Sequence, residues 1–367
     1  MDAIDKYRKV LIVRLSAIGD VVRTLPAVNA WRKQSPETSF TWLVEPAAAS
    51  VLKGHPAIDK VLIFERGLFG DFRRSPGNIV RALLSLSNLI SDLRAEKFDL
   101  VIDFHGIFKS ALFSRLSGVP ERVGFGRPEA KEGSTVFYTH QFKPASTELN
   151  RVARALAMVE SLGVESGGSV AYQLPVKALN REHAYASLDR LSELPGSGPV
   201  IVLHPGSSRK TAYKRWHRNG YVGLVNALVE KLDARVILTW GPGERETVEL
   251  IAGHVRVPLV VAAKTSSLLD LAALFGACDL FVGGDTGPAH LAVAMQIPVV
   301  VIFGPTHPQV NAPYGTPYRI VRHPLPCSPC RKRSCKSRLC LEAIGWRRVL
   351  VAVEELLAFK LKGTLKN

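Results

Sequence analysis

A glycine-rich turn near position 285 carries side chains that could bind an anionic ligand. An apolar run leads into Gly283–Pro288, and a short helical pattern and a second apolar run follow, which predicts a strand–turn–helix–strand unit. The N–H groups and the positive dipole end of a helix starting here would favour a phosphate. Asp285, Thr286 and His290 would lie at the carboxyl end of a strand, where open α/β sheets bind ligands. A turn and helix cap with a packed histidine explains this stretch equally well.

A loop near the N-terminus, Ser16–Asp20, places a carboxylate between the first apolar run and the first helical pattern. One interpretation of Asp20 is a general base, which would need an apolar or closed site to hold its pKa usefully high. The other is helix capping, because aspartate is a preferred N-cap residue. The loop on its own favours capping.

A third segment combines small hydroxyl residues with neighbouring cations. Ser207 and Ser208 follow an apolar run, and Lys214 and Arg215 come shortly afterwards. Hydroxyl and amide groups can donate to diphosphate oxygens, and cations can stabilise the charge that grows on a departing diphosphate. An ordinary solvated basic loop is the alternative interpretation.

Glu244 ends a fourth segment of this kind, Trp240–Glu244, after another predicted strand. Its carboxylate could accept hydrogen bonds from the hydroxyls of a ribose. A surface helix cap would place the same residue there, and this segment in isolation favours the cap.

Four of the five cysteines form a compact cluster with the spacing C-x2-C-x4-C-x4-C: Cys327, Cys330, Cys335 and Cys340. Thiolates at such spacing could hold a structural zinc ion. The cluster lacks the two separated pairs of ordinary zinc ribbons, and free thiols persist in a reducing compartment. Both interpretations stay open. Cys278 stands alone in an apolar context that is typical of a core cysteine.

Several common nucleotide-binding motifs are missing from the sequence. It contains no G-x-x-x-x-G-K-[ST], which excludes a P-loop NTPase, and no G-x-G-x-x-G after the first apolar run, which argues against a nicotinamide or flavin enzyme. It also contains no D-x-D pair of metal-chelating carboxylates. Cationic side chains would therefore have to neutralise a diphosphate, and we expect no cofactor to be required for catalysis.

Apolar strand-like runs alternate with helical patterns along the whole chain, which predicts an α/β protein with parallel, doubly wound sheets. The pattern breaks into irregular sequence after Gly163 and restarts near Val200. We therefore predict two Rossmann-like domains facing across a cleft, at 1–173 and 174–345, with a final helix at 346–367 that packs back on the first. The predicted strands include Lys9–Arg14, Thr41–Val44, Val61–Phe64, Leu100–Asp103, Val200–Leu203 and Val236–Thr239.

The bulk composition is that of a folded protein with anionic partners. The 367 residues are 47% hydrophobic and 22% charged, with a formal net charge of +16. Such a charge favours a nucleotide, a phosphorylated glycolipid, a membrane surface or a nucleic acid. No apolar run approaches a membrane span and the N-terminal residues show no secretory signal, so we expect a cytoplasmic location.

Taken together, these segments resemble the ADP-heptose:lipopolysaccharide heptosyltransferases of glycosyltransferase family 9, which have the GT-B fold. The resemblance covers most of the chain and is strongest in Val10–Val28, His204–Trp216 and Gly283–Thr306. Val101–Ser110 looks more like the enzymes that add the first heptose to Kdo, as heptosyltransferase I does, than those that add the second.

The resemblance implies roles for most of the residues introduced above. Asp20 would deprotonate the acceptor hydroxyl as its oxygen attacks the anomeric carbon in an inverting displacement, and Lys214 would stabilise the departing diphosphate. Asp285 would hold hydroxyls of the donor sugar, and Glu244 would contact the nucleotide ribose. The other donor-binding residues implied are Ser207, Ser208, Arg215, Thr286, Gly287 and His290.

The resemblance also implies the partners: ADP-heptose as donor, and Kdo-lipid A or the core oligosaccharide as acceptor at the cytoplasmic face of the inner membrane. A phosphorylated, Kdo-bearing acceptor would require cations on the first domain. Charge and loop position suggest Arg73, Arg74, Lys109, Arg127 and Lys131.

Two alternatives remain at this stage. One is a GT-B transferase that uses another nucleotide sugar, and the other is a basic nucleic-acid-binding protein. The sequence lacks the known sequence-reading motifs and an aromatic-rich binding strand, so we expect no nucleic-acid partner.

Overall fold

A computed structural model describes residue 4 and residues 6–65, 76–168, 170–330 and 332–364. The chain divides into two compact units, Met1–Pro175 and Val176–Asn367. The division lies two residues beyond the boundary expected from the sequence. Each unit contains one six-stranded sheet with helices around it.

The sheet of the first unit has the order β3-β2-β1-β4-β5-β6, and all its neighbouring strands run parallel. Val10 in β1 pairs with Phe40 in β2 and with Leu100 in β4, so the carboxyl ends of these three strands lie at one edge. The strands are β1 Lys9–Val13, β2 Ser39–Val44, β3 Lys60–Ile63, β4 Leu100–Asp103, β5 Glu121–Phe125 and β6 His140–Phe142. The helices are α1 Ile18–Gln34, α2 Pro46–Ala49, α3 Pro76–Ala95, α4 Phe108–Leu116 and α5 Arg151–Glu160.

Helix α1 begins earlier than the sequence pattern indicates. Its N-cap is Ala17, so Asp20 is the third residue of the helix and not the cap itself. The carboxylate in this first turn is favourable for the helix dipole. Helix α5 packs against α1, and its N-cap Asn150 accepts a hydrogen bond from the Val152 N–H at 2.9 Å. The two helices thus bring residues of distant sequence to one end of the first sheet.

The sheet of the second unit has the order β12-β11-β10-β7-β8-β9, again with every neighbouring pair parallel. Its strands are almost continuously apolar because helices cover both faces of a parallel sheet. The strands are β7 Val200–His204, β8 Arg235–Leu238, β9 Val260–Val261, β10 Leu280–Gly284, β11 Val299–Phe303 and β12 Tyr318–Arg322. The helices are α6 Ala178–Ser192, α7 Arg218–Leu232, α8 Arg245–Ala252, α9 Leu268–Gly276, α10 Gly287–Ala294, α11 Pro308–Asn311, α12 Leu339–Glu342 and α13 Trp346–Thr364.

The two parallel, helix-flanked sheets confirm the predicted α/β class. The region expected to be an irregular linker contains a helix, α6, that the sequence pattern did not indicate. Its sequence is mostly polar, and it packs on α9 through few buried side chains, among them Ala184, Ser187 and Leu191. Because so few residues of α6 are buried, its amphipathic pattern is too weak to recognise in the sequence.

The final helix, α13, differs from its expected placement on the first domain. Its described side chains pack within the second unit, against α7, β11 and β12. Val349, Leu350, Val353 and Leu356 belong to the core cluster of that unit. The apolar stripe of the helix recurs every three to four residues and is buried there, which fixes the helix to its own unit. No helix in the described part of the chain is long and apolar enough to cross a membrane.

Substitution of one residue on this stripe tests the packing of α13. Leu356 is 1% exposed, so Leu356→Ala should lower the free energy of unfolding by about 2–5 kcal/mol. Val351 lies on the opposite side of the same helix and is 51% exposed, and Val351→Ala should change that free energy by about 0.5 kcal/mol or less. Urea denaturation of both variants measures the difference. Equal effects would contradict the packing described here.

Candidate functional site

The Asp20 carboxylate lies at the carboxyl edge of the first sheet and contacts three arginines. Arg14, directly after β1, approaches Oδ2 with Nη2 at 2.8 Å. Arg23, one turn further along α1, donates to Oδ1, and Arg151 at the start of α5 lies 3.5 Å from the same oxygen. The backbone N–H of Ala17 is 3.4 Å from Oδ2. The structure therefore places Asp20 in a cationic cluster of the first unit.

This environment holds Asp20 in its charged form. Burial alone would raise the pKa of the Asp20 carboxyl, but the charges of Arg14, Arg23 and Arg151 outweigh burial and hold that pKa well below its usual range. The sequence analysis required a raised pKa for a general base at this position. The pKa of Asp20 is instead lowered. The carboxylate is ionised at any physiological pH and is a weak base.

His105 lies close enough to this cluster for its charges to act on the imidazole, and Lys109 follows on α4. Burial and then the charge of Arg14 lower the pKa of His105 to about 3, so the imidazole is neutral. Its loop is fixed by the buried Asp103, which accepts the His105 N–H at 2.8 Å and the Tyr138 hydroxyl at 2.7 Å. Lys109 donates to Glu45 at 2.6 Å.

Two further cations proposed for an acceptor, Arg127 and Lys131, lie in the described part of the first unit. Arg127 is exposed, and the exposed Lys131 donates to the Pro128 carbonyl at 2.9 Å. Arg73 and Arg74 lie outside the described residues. Among the predicted acceptor residues that the structure describes, Lys109 is the one whose charge acts on His105 beside the cluster.

Three of the predicted loops meet at the carboxyl edge of the second sheet. His204 at the end of β7 pairs with Gly283 of β10, and Leu203 pairs with Leu238 of β8. This register aligns the ends of β7, β8 and β10. The loops that follow these strands are therefore neighbours, as the contacts between their side chains show.

Lys214 joins two of these loops through Asp285. Its Nζ donates to the Asp285 carbonyl at 2.9 Å and lies 3.0 Å from Oδ2 of the same residue. His290 Nε2 lies 3.7 Å from Asp285 Oδ1. Asp285 and His290 are buried, while Lys214 is partly exposed. The structure thus brings three of the predicted residues into one cluster.

Helix α10 starts beside this cluster. Thr286 is its N-cap, Gly287 its first residue and Pro288 its second, and all three are partly exposed. The first N–H groups of an α-helix have no acceptor within the helix, and the dipole makes this end positive. The start of α10 therefore lies beside the residue that Lys214 contacts, and anion binding there stays a prediction.

Ser207 and Ser208 have different environments. Ser207 is buried, and the Arg215 Nε donates to its hydroxyl at 3.2 Å, with a second bond from Arg215 to the Ser207 carbonyl. Ser208 is exposed, and its hydroxyl lies 2.9 Å from that of Thr211 at the start of a 3₁₀ turn, Arg209–Lys214. Arg215 therefore stabilises the loop, and Ser208 is an exposed residue whose hydroxyl bonds within it.

Glu244 is a buried residue of the loop after β8. Its Oε2 accepts the Gly241 N–H at 2.8 Å and lies 3.3 Å from His204 Nε2, while His204 Nδ1 lies 3.0 Å from the Thr239 hydroxyl. Burial opposes ionisation of Glu244, but the hydrogen bond and charge of His204 lower its pKa. A Cβ at Gly206 would collide with this carboxylate, so a larger residue there would displace Glu244. The predicted ribose contact of Glu244 stays a prediction.

The four clustered cysteines are free thiols, of which Cys327 and Cys335 are exposed. In the described part of the chain, no group of three or more His, Cys, Asp or Glu side chains is arranged to hold a metal ion. The zinc site stays a prediction, which metal analysis of protein purified without chelator or nickel resin would test.

The sequence analysis missed several residues of both sites. Arg14 and Arg23 flank the Ser16–Asp20 loop and could have been recognised as its cationic neighbours. Arg151 is 131 positions from Asp20, so only the packing of α5 on α1 reveals it. His204 was placed in its loop without a role, although a histidine that ends a buried strand requires a polar partner.

Comparisons with known proteins identify the family of the chain. A family model, glycosyltransferase family 9 (heptosyltransferase), matches residues 86–340. Lipopolysaccharide heptosyltransferase 1 of Pseudomonas aeruginosa is 28% identical over 334 residues, which cover 89% of this chain and 87% of that protein. The protein of the same name from Escherichia coli K12 is 28% identical over 324 residues, covering 86% of this chain and 94% of that protein.

Solved structures show the same two-sheet architecture. E. coli heptosyltransferase WaaC with ADP superposes with a TM-score of 0.74 at 25% identity, covering 95% of this chain and 99% of that one. A glycosyltransferase of family 9 from Veillonella parvula gives a TM-score of 0.76 at 20% identity, covering 96% and 97%. These likenesses confirm the predicted GT-B fold.

The pairing of Asp20 predicts a pH dependence of stability. Its folded-state pKa lies below the unfolded value of about 3.9, so the stabilisation is fully present above that value and is lost as the pH falls through the folded-state pKa. Asp20→Asn should be less stable than wild type at pH 7 by an amount on the order of 3 kcal/mol. The gap should narrow as the pH falls below about 4 toward the folded-state pKa of Asp20.

Urea denaturation at several pH values measures this gap. Asp92→Asn is the matched control, because Asp92 is exposed on α3, and it should stay within about 0.5 kcal/mol of wild type throughout. A gap for Asp20→Asn that does not change as the pH falls would show that ionisation of Asp20 is not what stabilises the cluster.

Proposed function

The chain belongs to glycosyltransferase family 9, and from that premise we propose that it transfers heptose from ADP-heptose to the Kdo/heptose inner core of lipopolysaccharide. The observation that carries the proposal is the cluster of Lys214, Asp285 and His290 beside the start of α10. Relatives named lipopolysaccharide heptosyltransferase 1 support the choice of sugar and acceptor, and the structure of the E. coli relative with ADP supports the choice of nucleotide.

The second unit would bind the donor. A diphosphate at the start of α10 would receive the first N–H groups of that helix, and Lys214 would lie beside it as a cation. Because Lys214 is already fixed by Asp285, it needs little reorganisation when charge develops on the departing ADP. The exposed hydroxyl of Ser208 would add a donor from the neighbouring loop. A metal ion is not needed in this scheme.

The first unit would supply the proton acceptor. Asp20 would take the proton from the acceptor hydroxyl as its oxygen bonds to the anomeric carbon, on the face opposite the departing ADP. The hydroxyl becomes strongly acidic as that bond forms at an oxocarbenium-like centre, so even a weak base can accept its proton late in the reaction. A single displacement of this kind inverts the anomeric configuration.

A lipid-bearing acceptor would require the enzyme to work at a membrane surface, and helix α3 offers a face for it. Val80, Leu83 and Leu84 are each more than half exposed there, and the exposed Arg81 lies among them. Aliphatic side chains beside a cation are typical of helices that lie in the interface of an anionic bilayer. With a net charge of +16, the chain would be attracted to such a surface.

ADP release from ADP-heptose tests the proposed reaction. Wild type should release ADP when Kdo2–lipid A is present and far more slowly without it. Asp20→Asn should lose at least a hundredfold in turnover with acceptor, because the proton acceptor is gone. A folded Asp20→Asn protein with near-full turnover would exclude the proposed role of Asp20.

Thermal unfolding with ADP, UDP and GDP tests the donor separately, since a ligand that binds the folded state raises its melting temperature. ADP should stabilise wild type most. Lys214→Met should lose most of this shift, whereas Lys231→Met, at an exposed position on α7, should keep it. A larger shift with UDP or GDP would point to another nucleotide sugar.

Sedimentation with vesicles containing phosphatidylglycerol tests the membrane face. Leu83→Ser combined with Leu84→Ser should reduce the bound fraction severalfold, because two apolar side chains no longer enter the bilayer. Leu250→Ser, at a position that is 42% exposed on α8 of the second unit, is the control and should bind as wild type does. Equal binding by all the proteins would exclude α3 as the contact.

A further inference from the structure

His105 lies at the same edge of the first sheet as Asp20. The N–H of Phe104, the residue after β4, donates to the Val13 carbonyl at the end of β1 at 3.1 Å. Arg14 donates to the Phe104 carbonyl from Nη1 and approaches Asp20 Oδ2 with Nη2 at 2.8 Å. One guanidinium group thus holds both the Asp20 carboxylate and the peptide group that leads into His105.

The loop that carries His105 is fixed by a buried carboxylate. Asp103 is fully buried, and its Oδ1 accepts the N–H of His105 at 2.8 Å and that of Gly106 at 3.2 Å. The Gly106 carbonyl in turn accepts the Lys131 N–H at 2.8 Å and the Ser134 hydroxyl at 3.1 Å. A side chain on so ordered a loop loses little further conformational freedom when it contacts a ligand, which favours binding.

The two ring nitrogens of His105 have different surroundings. Nδ1 is buried and lacks a hydrogen-bond partner among the described residues. Nε2 makes no hydrogen bond to the described part of the chain either, but it is not buried, so it is the nitrogen that a ligand can reach. The ring is neutral, because burial and then the charge of Arg14 lower its pKa to about 3. A neutral imidazole carries one N–H, and that hydrogen can be satisfied on Nε2, where water or a ligand accepts it, and not on Nδ1.

A neutral N–H donor beside an ionised carboxylate suits a sugar, which presents several oxygen atoms on one ring. Asp20 can accept a hydrogen bond from one hydroxyl, but an ionised carboxylate has no hydrogen to donate to the neighbouring oxygens. His105 Nε2 supplies such a donor. Two groups of opposite hydrogen-bonding capacity on one ordered edge can fix the orientation of a sugar ring, whereas a single contact leaves the ring free to rotate.

Resting on the proposed function, we propose that His105 binds the acceptor sugar, donating from Nε2 to an oxygen next to the hydroxyl that Asp20 deprotonates. The contact orients the attacking hydroxyl toward Asp20 and adds no charge to the site. The imidazole neither takes nor gives a proton in the reaction. His105 is thus an acceptor-binding residue that the five cations suggested by the sequence do not include.

Substitutions that keep one nitrogen position at a time test this assignment in the full-length protein. The amide nitrogen of glutamine lies as many bonds from Cβ as His105 Nε2 does, and that of asparagine as many as Nδ1. With ADP-heptose and Kdo2–lipid A, His105→Gln should keep kcat/KM for the acceptor within about threefold of wild type. His105→Asn and His105→Leu should lower it about tenfold, mainly through KM, because a contact made on binding is lost. KM for ADP-heptose should not change.

His254→Leu is the matched control, because His254 is exposed in the second unit and the change of side chain is the same. It should resemble wild type with both substrates. Full activity in His105→Asn but not in His105→Gln would show that the buried nitrogen matters, which would overturn the proposal. An equal loss in all three His105 variants, or a loss in none, would overturn it as well, because neither depends on where the amide lies.

A binding measurement keeps this inference testable if transfer itself fails. Kdo α-methyl glycoside should raise the melting temperature of wild type and of His105→Gln, and should raise that of His105→Leu much less. Equal shifts for the three proteins, or no shift for wild type, overturn the proposal. ADP added in parallel should stabilise all three alike, which reports on folding and on the donor site alone. A failure of the proposed transferase function is therefore recognised separately, as ADP binding without ADP release from ADP-heptose.

Discussion

A single carboxylate, that of Asp20, holds together the end of the first sheet. It pairs with Arg14 after β1, with Arg23 on α1 and with Arg151 on α5, so one group ties the first strand and helix to a helix far along the sequence. The attraction of three cations outweighs the cost of burying the carboxylate and keeps it ionised. The same pairing that stabilises this edge also makes Asp20 a poor base at rest.

The second sheet brings together the cations and helix N–H groups that, in the proposed function, would bind a diphosphate without a metal ion. The parallel register aligns the ends of β7, β8 and β10, so that their loops touch. Asp285 then fixes Lys214 beside the start of α10, and Glu244, paired with His204, lies against Gly206. These contacts set the positions of cations and N–H groups in advance, which is what electrostatic stabilisation of a leaving group requires.

Much of this architecture is readable from the sequence. Continuous apolar strands such as Leu100–Asp103 are found where the pattern predicts them, because burial on both faces of a parallel sheet leaves a strong signal. Loops that end these strands could be recognised as sites, because the carboxyl edge of such a sheet is where ligands bind. The weakly amphipathic α6 and the placement of α13 could not, because both depend on what neighbouring helices bury.

The ionisation state of Asp20 is the clearest example of a property that could not be predicted from the sequence. Residue type and spacing indicate a base or a cap, and neither predicts three arginines around one carboxylate. Arg151 reaches it only through the packing of α5 on α1. A pKa is set by all charges and burial around a group, so it follows from the fold and not from a local motif.

The central claim of this account is a single displacement in which Asp20 accepts the proton of the attacking hydroxyl. The most direct measurement is the anomeric configuration of the transferred sugar, determined by NMR on product made from a donor of known configuration. The account predicts inversion at the anomeric carbon. Retention would require a covalent or internal-return mechanism and would contradict it.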